Sequence, residues 1–160
     1  MESITYREMR DGEEGAVVDL VRQVFDEFVA PDYGAEGIEE FFKFANPSAL
    51  RARVKQGGFV VVAEGSTGLV GMLEFMPPCF IALLFVTLRR EGIASSLFKE
   101  CIKKLEATDV LIPKLTVHSS PYAVPIYKKL GFHRTGEQTT ENGITYIPME
   151  CGLRALASSG

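Results

Sequence analysis

Leu84-Phe85-Val86-Thr87-Leu88-Arg89-Arg90-Glu91-Gly92-Ile93-Ala94 joins an apolar strand, through a short basic turn with one glycine, to the start of an amphipathic helix. The first N–H groups of a helix have no intrahelical acceptor, and the positive end of the helix dipole lies beside them. Directed at one spot, such groups bind phosphate. The segment predicts a phosphate-bearing ligand lying along the end of a strand.

The helix that follows presents Ile93, Ala94, Leu97, Phe98, Cys101, Ile102 and Leu105 on one broad face, with Ser95, Ser96, Lys99, Glu100, Lys103 and Lys104 on the other. This is the pattern of a helix covering a sheet. Before the turn, residues 80–86 are almost wholly apolar, as in a strand central in its sheet. Strands at 59–63 and 69–75 flank the turn Glu64-Gly65-Ser66-Thr67-Gly68 and read as a hairpin closed by Pro77-Pro78. Further upstream, a strand at 3–7 leads to a helix carrying Val17, Leu20, Val21, Val24, Phe25 and Phe28 at helical spacing, stopped by Pro31. Short helices are expected between Pro31 and Gln56, with breaks at Gly34, Gly37 and Asn46-Pro47. Downstream come a strand at 114–117, a helix over about 121–130 with Pro125 inside it, and Gly131 placed for a left-handed helix end. Two strands, 132–137 and 145–150, are joined through Glu141-Asn142-Gly143. The order of elements predicts an α/β fold: a mixed sheet with helices on both faces. Residues 1–154 read as one domain and 155–160 as a flexible tail.

The bulk properties agree with this. The 160 residues are 46% hydrophobic and 24% charged, the profile of a globular domain with a real core. A net charge of −4 argues against non-specific nucleic-acid binding. The apolar run 79–86 is far shorter than the roughly 20 residues that span a bilayer, so no membrane partner is expected. No basic-then-apolar leader precedes Ile4, and Cys79, Cys101 and Cys151 are too few and too scattered for a disulfide framework or a zinc site. A cytoplasmic protein without a metal is the expectation. An exposed sheet edge near the C-terminus would permit a homodimer.

Arg89-x-x-Gly92-x-Ala94 matches the pattern [Gln/Arg]-x-x-Gly-x-[Gly/Ala] that marks the coenzyme A site of the GNAT acyltransferase superfamily. A second segment, Ser119-Ser120-Pro121-Tyr122-Ala123-Val124-Pro125-Ile126-Tyr127-Lys128-Lys129-Leu130-Gly131-Phe132, resembles the superfamily's later motif, a helix that carries a tyrosine and ends in Leu-Gly-Phe. The two stand in the family's order, with a helix and a strand between them. The resemblance covers about residues 69–150, and His118-Ser119-Ser120 stands where many members have an asparagine. It implies a largely antiparallel central sheet of GNAT type and acetyl transfer from acetyl-CoA, as co-substrate, to a primary amine in a ternary complex. A small-molecule or peptide amine would be the acceptor.

The resemblance assigns the coenzyme's pyrophosphate to Arg89, Arg90, Glu91, Gly92, Ile93, Ala94 and Ser95, and its pantetheine arm to the backbone of Leu84, Phe85 and Val86, with Ser119 and Tyr127 completing the contacts. The chemistry is consistent: Gly92 allows close backbone approach, and the arginines add charge. Tyr127 is the expected acid, because a phenol stays protonated near neutral pH and can protonate a departing thiolate. The attacking amine needs a base, for which Glu74 ranks first and His118 second. Phe25, Phe28, Tyr33, Phe41 and Phe42 lie in the region that forms the acceptor wall in this superfamily, most of them as core. The cysteines lack basic partners, which favours direct transfer over an acyl-cysteine. A non-catalytic acyl-CoA-binding module of the same fold is the alternative. A kinase or dehydrogenase reading ranks well below both, for want of their glycine motifs.

Overall fold

The computed structural model describes residues 3–87, 92–108 and 111–153. The arginines at 89 and 90 and Glu91 lie outside these residues. The chain forms one eight-stranded sheet with helices on both faces. Its strands are β1 (Thr5–Glu8), β2 (Phe59–Gly65), β3 (Gly68–Met76), β4 (Phe80–Val86), β5 (Lys114–Ser119), β6 (His133–Arg134), β7 (Thr139–Glu141) and β8 (Ile144–Gly152). The helices are α1 (Glu14–Val24), α2 (Ala35–Phe44), α3 (Pro47–Lys55), α4 (Ile93–Glu106) and α5 (Val124–Leu130).

The strands run in the order β1-β2-β3-β4-β5-β8-β6, with β7 paired to β8. All pairings are antiparallel except β4 with β5, which is parallel. The two faces of the sheet are filled by different helices, as the alternation of strand side chains requires. Val61, Ala63, Leu73, Ile81, Leu115 and Val117 pack under α4 and α5. Val60, Val62, Met72 and Leu83 pack under α1 and its neighbours. Apolar residues on both faces of β2, β3 and β4 account for their near-continuous hydrophobic runs.

The parallel pairing of β4 and β5 is short. It consists of Phe80 with Thr116 and Ile81 with Val117, and it stops there although β4 continues to Val86. The cause lies on the other side of β4. There Glu74 pairs with Leu83 and Phe75 with Ile81, leaving Ala82 as an extra, bulged residue. A bulge bends its strand and raises its twist. The bend begins one residue after the last contact with β5, and the two strands diverge.

Three elements depart from the periodicity. The first helix leaves α geometry at Val24 and passes through a π turn, Phe25–Val29, into a short 3-10 turn, Ala30–Asp32. The wider turn swings Phe28 further round the axis from Phe25. Phe25 is fully buried against Phe41, Phe42 and Tyr33, whereas Phe28 stacks on Tyr122 of the distant β5–α5 connection at 5.0 Å. Residues 121–123 form a turn, so Pro125 falls within the first turn of α5, where its missing N–H breaks no helical bond. The expected strand at 132–137 is two residues long, and a separate ribbon, β7 with β8, closes on Glu141-Asn142-Gly143.

That ribbon touches α2 backbone to backbone. A Cβ built on Gly37 would collide with the carbonyl of Gly143, and one built on Gly143 would collide with Gly37. Gly143 also has φ of 79°, which disfavours a side chain. Gly37→Ala and Gly143→Ala are each expected to lower stability by about 1–3 kcal/mol, as overpacking does. Denaturant titration followed by circular dichroism checks this.

Candidate active site

The divergence of β4 and β5 opens a cavity of about 820 Å³. Ala82, Leu83, Leu84, Phe85 and Val86 all line it. Successive side chains of a strand point to opposite faces, so five consecutive residues can border one cavity only along the strand's edge. It is the edge turned toward β5, where pairing has ended. This edge offers backbone groups to a ligand in the manner of an added strand.

One end of the cavity is the start of α4. Gly92, Ala94 and Ser95 line it. Gly92 is the residue before the helix, with φ of 102°, and no side chain caps the helix there. The first amides of a fourteen-residue helix thus border the cavity with the positive end of its dipole. Ile93 is turned the other way: its side chain is buried in the core beneath α4. Lys129 of α5 also lines the cavity, adding a cation that the sequence motif did not single out.

Tyr127, on α5, borders the same cavity and is 4% exposed. Its ring meets Phe132 edge-on at 5.4 Å, and the amide of Phe132 donates to the Tyr127 carbonyl at 3.0 Å. Gly131, at φ of 105°, makes this reversal possible. Burial pushes the Tyr127 phenol well above its ordinary value, so it holds its proton throughout the neutral range. Ser119, expected beside the coenzyme, is buried and donates from its hydroxyl to the Ser120 carbonyl at 2.7 Å. Ser120 is the serine that lines the cavity, and its Oγ accepts from the Ala123 amide at the entry to α5.

The two base candidates have different surroundings. Glu74 has no exposed surface and is absent from the cavity lining. Its two carboxylate oxygens accept from Arg53 Nε at 2.7 Å and from Nη2 at 3.0 Å. Arg53 also donates to the Phe44 carbonyl and lies 3.6 Å above the Phe44 ring, so the pair ties α3 and the end of α2 to β3. Burial raises the pKa of Glu74, and Arg53 opposes that shift. The residue ranked first from the sequence is half of a buried ion pair. His118, ranked second, lines the cavity and is exposed to it. Its ring stacks on Tyr146 at 4.2 Å and meets Phe80 edge-on at 5.3 Å. Desolvation lowers its pKa and Glu141 partly opposes this, leaving the imidazole neutral at pH 7.

The remaining lining comes from Val24 and Val29 of the first helix, Tyr33 just after it, Phe41 of α2, and Tyr122 and Ile126. No cysteine lies among the lining residues, and burial pushes the Cys101 thiol up to about 12. Among the described residues no group of three potential ligands is placed to hold a metal, and no helix is long and apolar enough to cross a membrane. Arg53→Met would strand the Glu74 carboxylate without its partner and is expected to cost about 3–5 kcal/mol in a denaturant titration. Glu74→Gln should lower stability as well, while turnover per folded molecule stays within about twofold.

The model of the GNAT acetyltransferase domain matches residues 29–153. No curated protein matches the sequence. Solved structures resemble the fold over nearly its whole length. A GCN5-related N-acetyltransferase of Rhodopseudomonas palustris is 20% identical with a TM-score of 0.76, covering 94% of this chain and 96% of that one. The PaiA N-acetyltransferase of Thermoplasma acidophilum, solved with coenzyme A, is 17% identical with a TM-score of 0.76, at coverages of 94% and 99%. The aminoglycoside 6'-N-acetyltransferase of Enterococcus faecium is 14% identical with a TM-score of 0.66, at 93% and 97%. With the family model spanning most of the chain and the open β4 edge, helix start and tyrosine assembled around one cavity, this protein is a member of the GNAT acetyltransferase family.

Proposed function

We propose that this chain transfers the acetyl group of acetyl-CoA to a primary amine by direct attack within a ternary complex. The observation that carries the reading is the edge of β4 beyond Ile81, left without a strand partner among the described residues, which shares one cavity with the start of α4 and with Tyr127. A pantetheine arm carries peptide-like amides, and the edge at Leu84, Phe85 and Val86 has backbone groups to match them. The amides at Gly92 to Ser95 suit a diphosphate, and Lys129 adds charge. Arg89, Arg90 and Glu91, assigned to the same diphosphate by motif, lie outside the described residues.

When bound, acetyl-CoA supplies an activated acetyl thioester. The chain's own residues manage protons and water around it. His118, neutral at working pH, accepts a proton from the incoming ammonium through a ring nitrogen, directly or by one water. Tyr127 keeps its proton because burial disfavours the phenolate; its Oη donates to the thiolate as the C–S bond breaks, and the second proton of the attacking nitrogen, shed as the amide forms, restores the phenol. Val24, Val29, Phe41 and Phe85 exclude water from the acceptor side, which strengthens both transfers. Glu74 holds α3 in place through Arg53 and takes no proton from the amine.

Tyr127→Phe is expected to reduce kcat by tenfold or more while the calorimetric affinity for coenzyme A is unchanged. Equal turnover in the variant would remove the acid role from Tyr127, and coenzyme binding without thiol release in the wild type would point to a binding module that has kept the fold. The histidine gives a separate signature. Because its pKa is lowered, the neutral form is lost only as pH falls below the ordinary histidine value of 6.5. The acid limb of kcat should therefore have its midpoint below 6.5 and be absent in His118→Ala.

A further inference from the structure

The cavity wall opposite α4 is made of Val24, Val29, Tyr33, Phe41, Phe85 and Tyr122. Among the described residues lining the cavity there is no aspartate and no glutamate; the one fixed charge is the cation of Lys129. Three carboxylates outside that lining have partners of their own. Both oxygens of Glu74 are on Arg53, Glu141 accepts from the Tyr146 hydroxyl at 3.2 Å, and Glu14 pairs with Arg51 at 3.3 Å.

From this wall we infer that the acceptor is an apolar amine with a single ionisable nitrogen, and that polyamines and multiply charged amino-sugars are poor acceptors. The inference rests on the acetyl-transfer reading above and names the substrate class of that same site. An amine with one nitrogen gives up its only charge before attack and then presents hydrocarbon to a hydrocarbon wall, which favours its burial. A diamine that reacts at one end carries a second ammonium into the same space. That ion loses water and meets no carboxylate among the described lining residues.

Stacking reduces what the aromatic rings can offer an ammonium. A cation cage needs several open ring faces around one point. Here Phe41 stacks on Phe25 at 4.1 Å, Tyr122 on Phe28 at 5.0 Å, and His118 on Tyr146 at 4.2 Å, each nearly parallel, so each ring has one face covered by its neighbour. The protein's net charge of −4 attracts cations to its surface without changing the inside of the cavity.

The test compares pentylamine with 1,4-diaminobutane, which differ in a terminal methyl against a terminal ammonium at equal chain length, using the purified full chain, saturating acetyl-CoA and a thiol-release readout. Pentylamine is expected to exceed 1,4-diaminobutane in kcat/KM by at least tenfold, and 2-phenylethylamine to exceed spermidine in the same sense. Acetylation of both members of a pair at similar kcat/KM, or a preference for the polycation, overturns the inference and leaves acetyl transfer standing. Acetylation of none of the four, with acetyl-CoA binding seen by calorimetry, overturns acetyl transfer to such amines and this inference together.

Discussion

Everything that makes this molecule more than a sheet between helices depends on the loss of pairing between β4 and β5. A central strand with both faces buried would ordinarily satisfy its backbone on both edges. Here the extra residue at Ala82 bends β4 away immediately after Ile81 has met Val117, and the edge as far as Val86 is left to other partners. The same divergence makes room for the start of α4 and for Tyr127 of α5 to border one space. A fully paired sheet of the same composition would have an equally good core and no site.

The elements around the gap are fixed by interactions that take no part in chemistry. α4 is held by the apolar face of Ile93, Leu97, Phe98, Cys101 and Leu105, which also directs the helix start into the cavity. α3 is held by the ion pair of Arg53 and Glu74, a device that is costly to form and more costly to break on one side. α2 is held by the aromatic cluster around Phe25 and by the glycine contact with the ribbon. The edge of β4 and the start of α4 thus bring backbone to the cavity, and the packed side chains determine where that backbone is presented.

Most of the architecture was legible because its signals are local. The 3.6-residue repeat of α4, the β-branched run of β2, the apolar run of β4 and Gly131 at a helix end each name their own conformation. Of the candidate site residues, Gly92, Ala94, Ser95 and Tyr127 of the two motifs, Leu84 to Val86, and His118 border the cavity, whereas the side chains of Ile93 and Ser119 turn away from it by the phase of their elements. What escaped the sequence is non-local. Nothing near Glu74 announces Arg53, twenty-one positions earlier, as the guanidinium that engages both its oxygens. The π turn at Phe25–Val29 answers to Tyr122, almost a hundred residues away, and no periodicity in the first helix encodes it. The bulge at Ala82 likewise appears only when β3 and β4 are laid side by side.

The contact of Gly37 with Gly143 links the β7–β8 ribbon to the helix whose Phe41 lines the cavity. β7 and the start of β8 carry threonines and a turn, yet the helix bearing Phe41 leans on them with no side chain in between. Lengthening or tightening that ribbon would tilt the helix as a rigid lever and reshape the mouth of the cavity while leaving β4, α4 and Tyr127 where they are. The same ribbon carries Tyr146, stacked on His118, and Glu141, so a change in one surface turn would reach the cavity by two routes, through α2 to Phe41 and through Tyr146 to the imidazole.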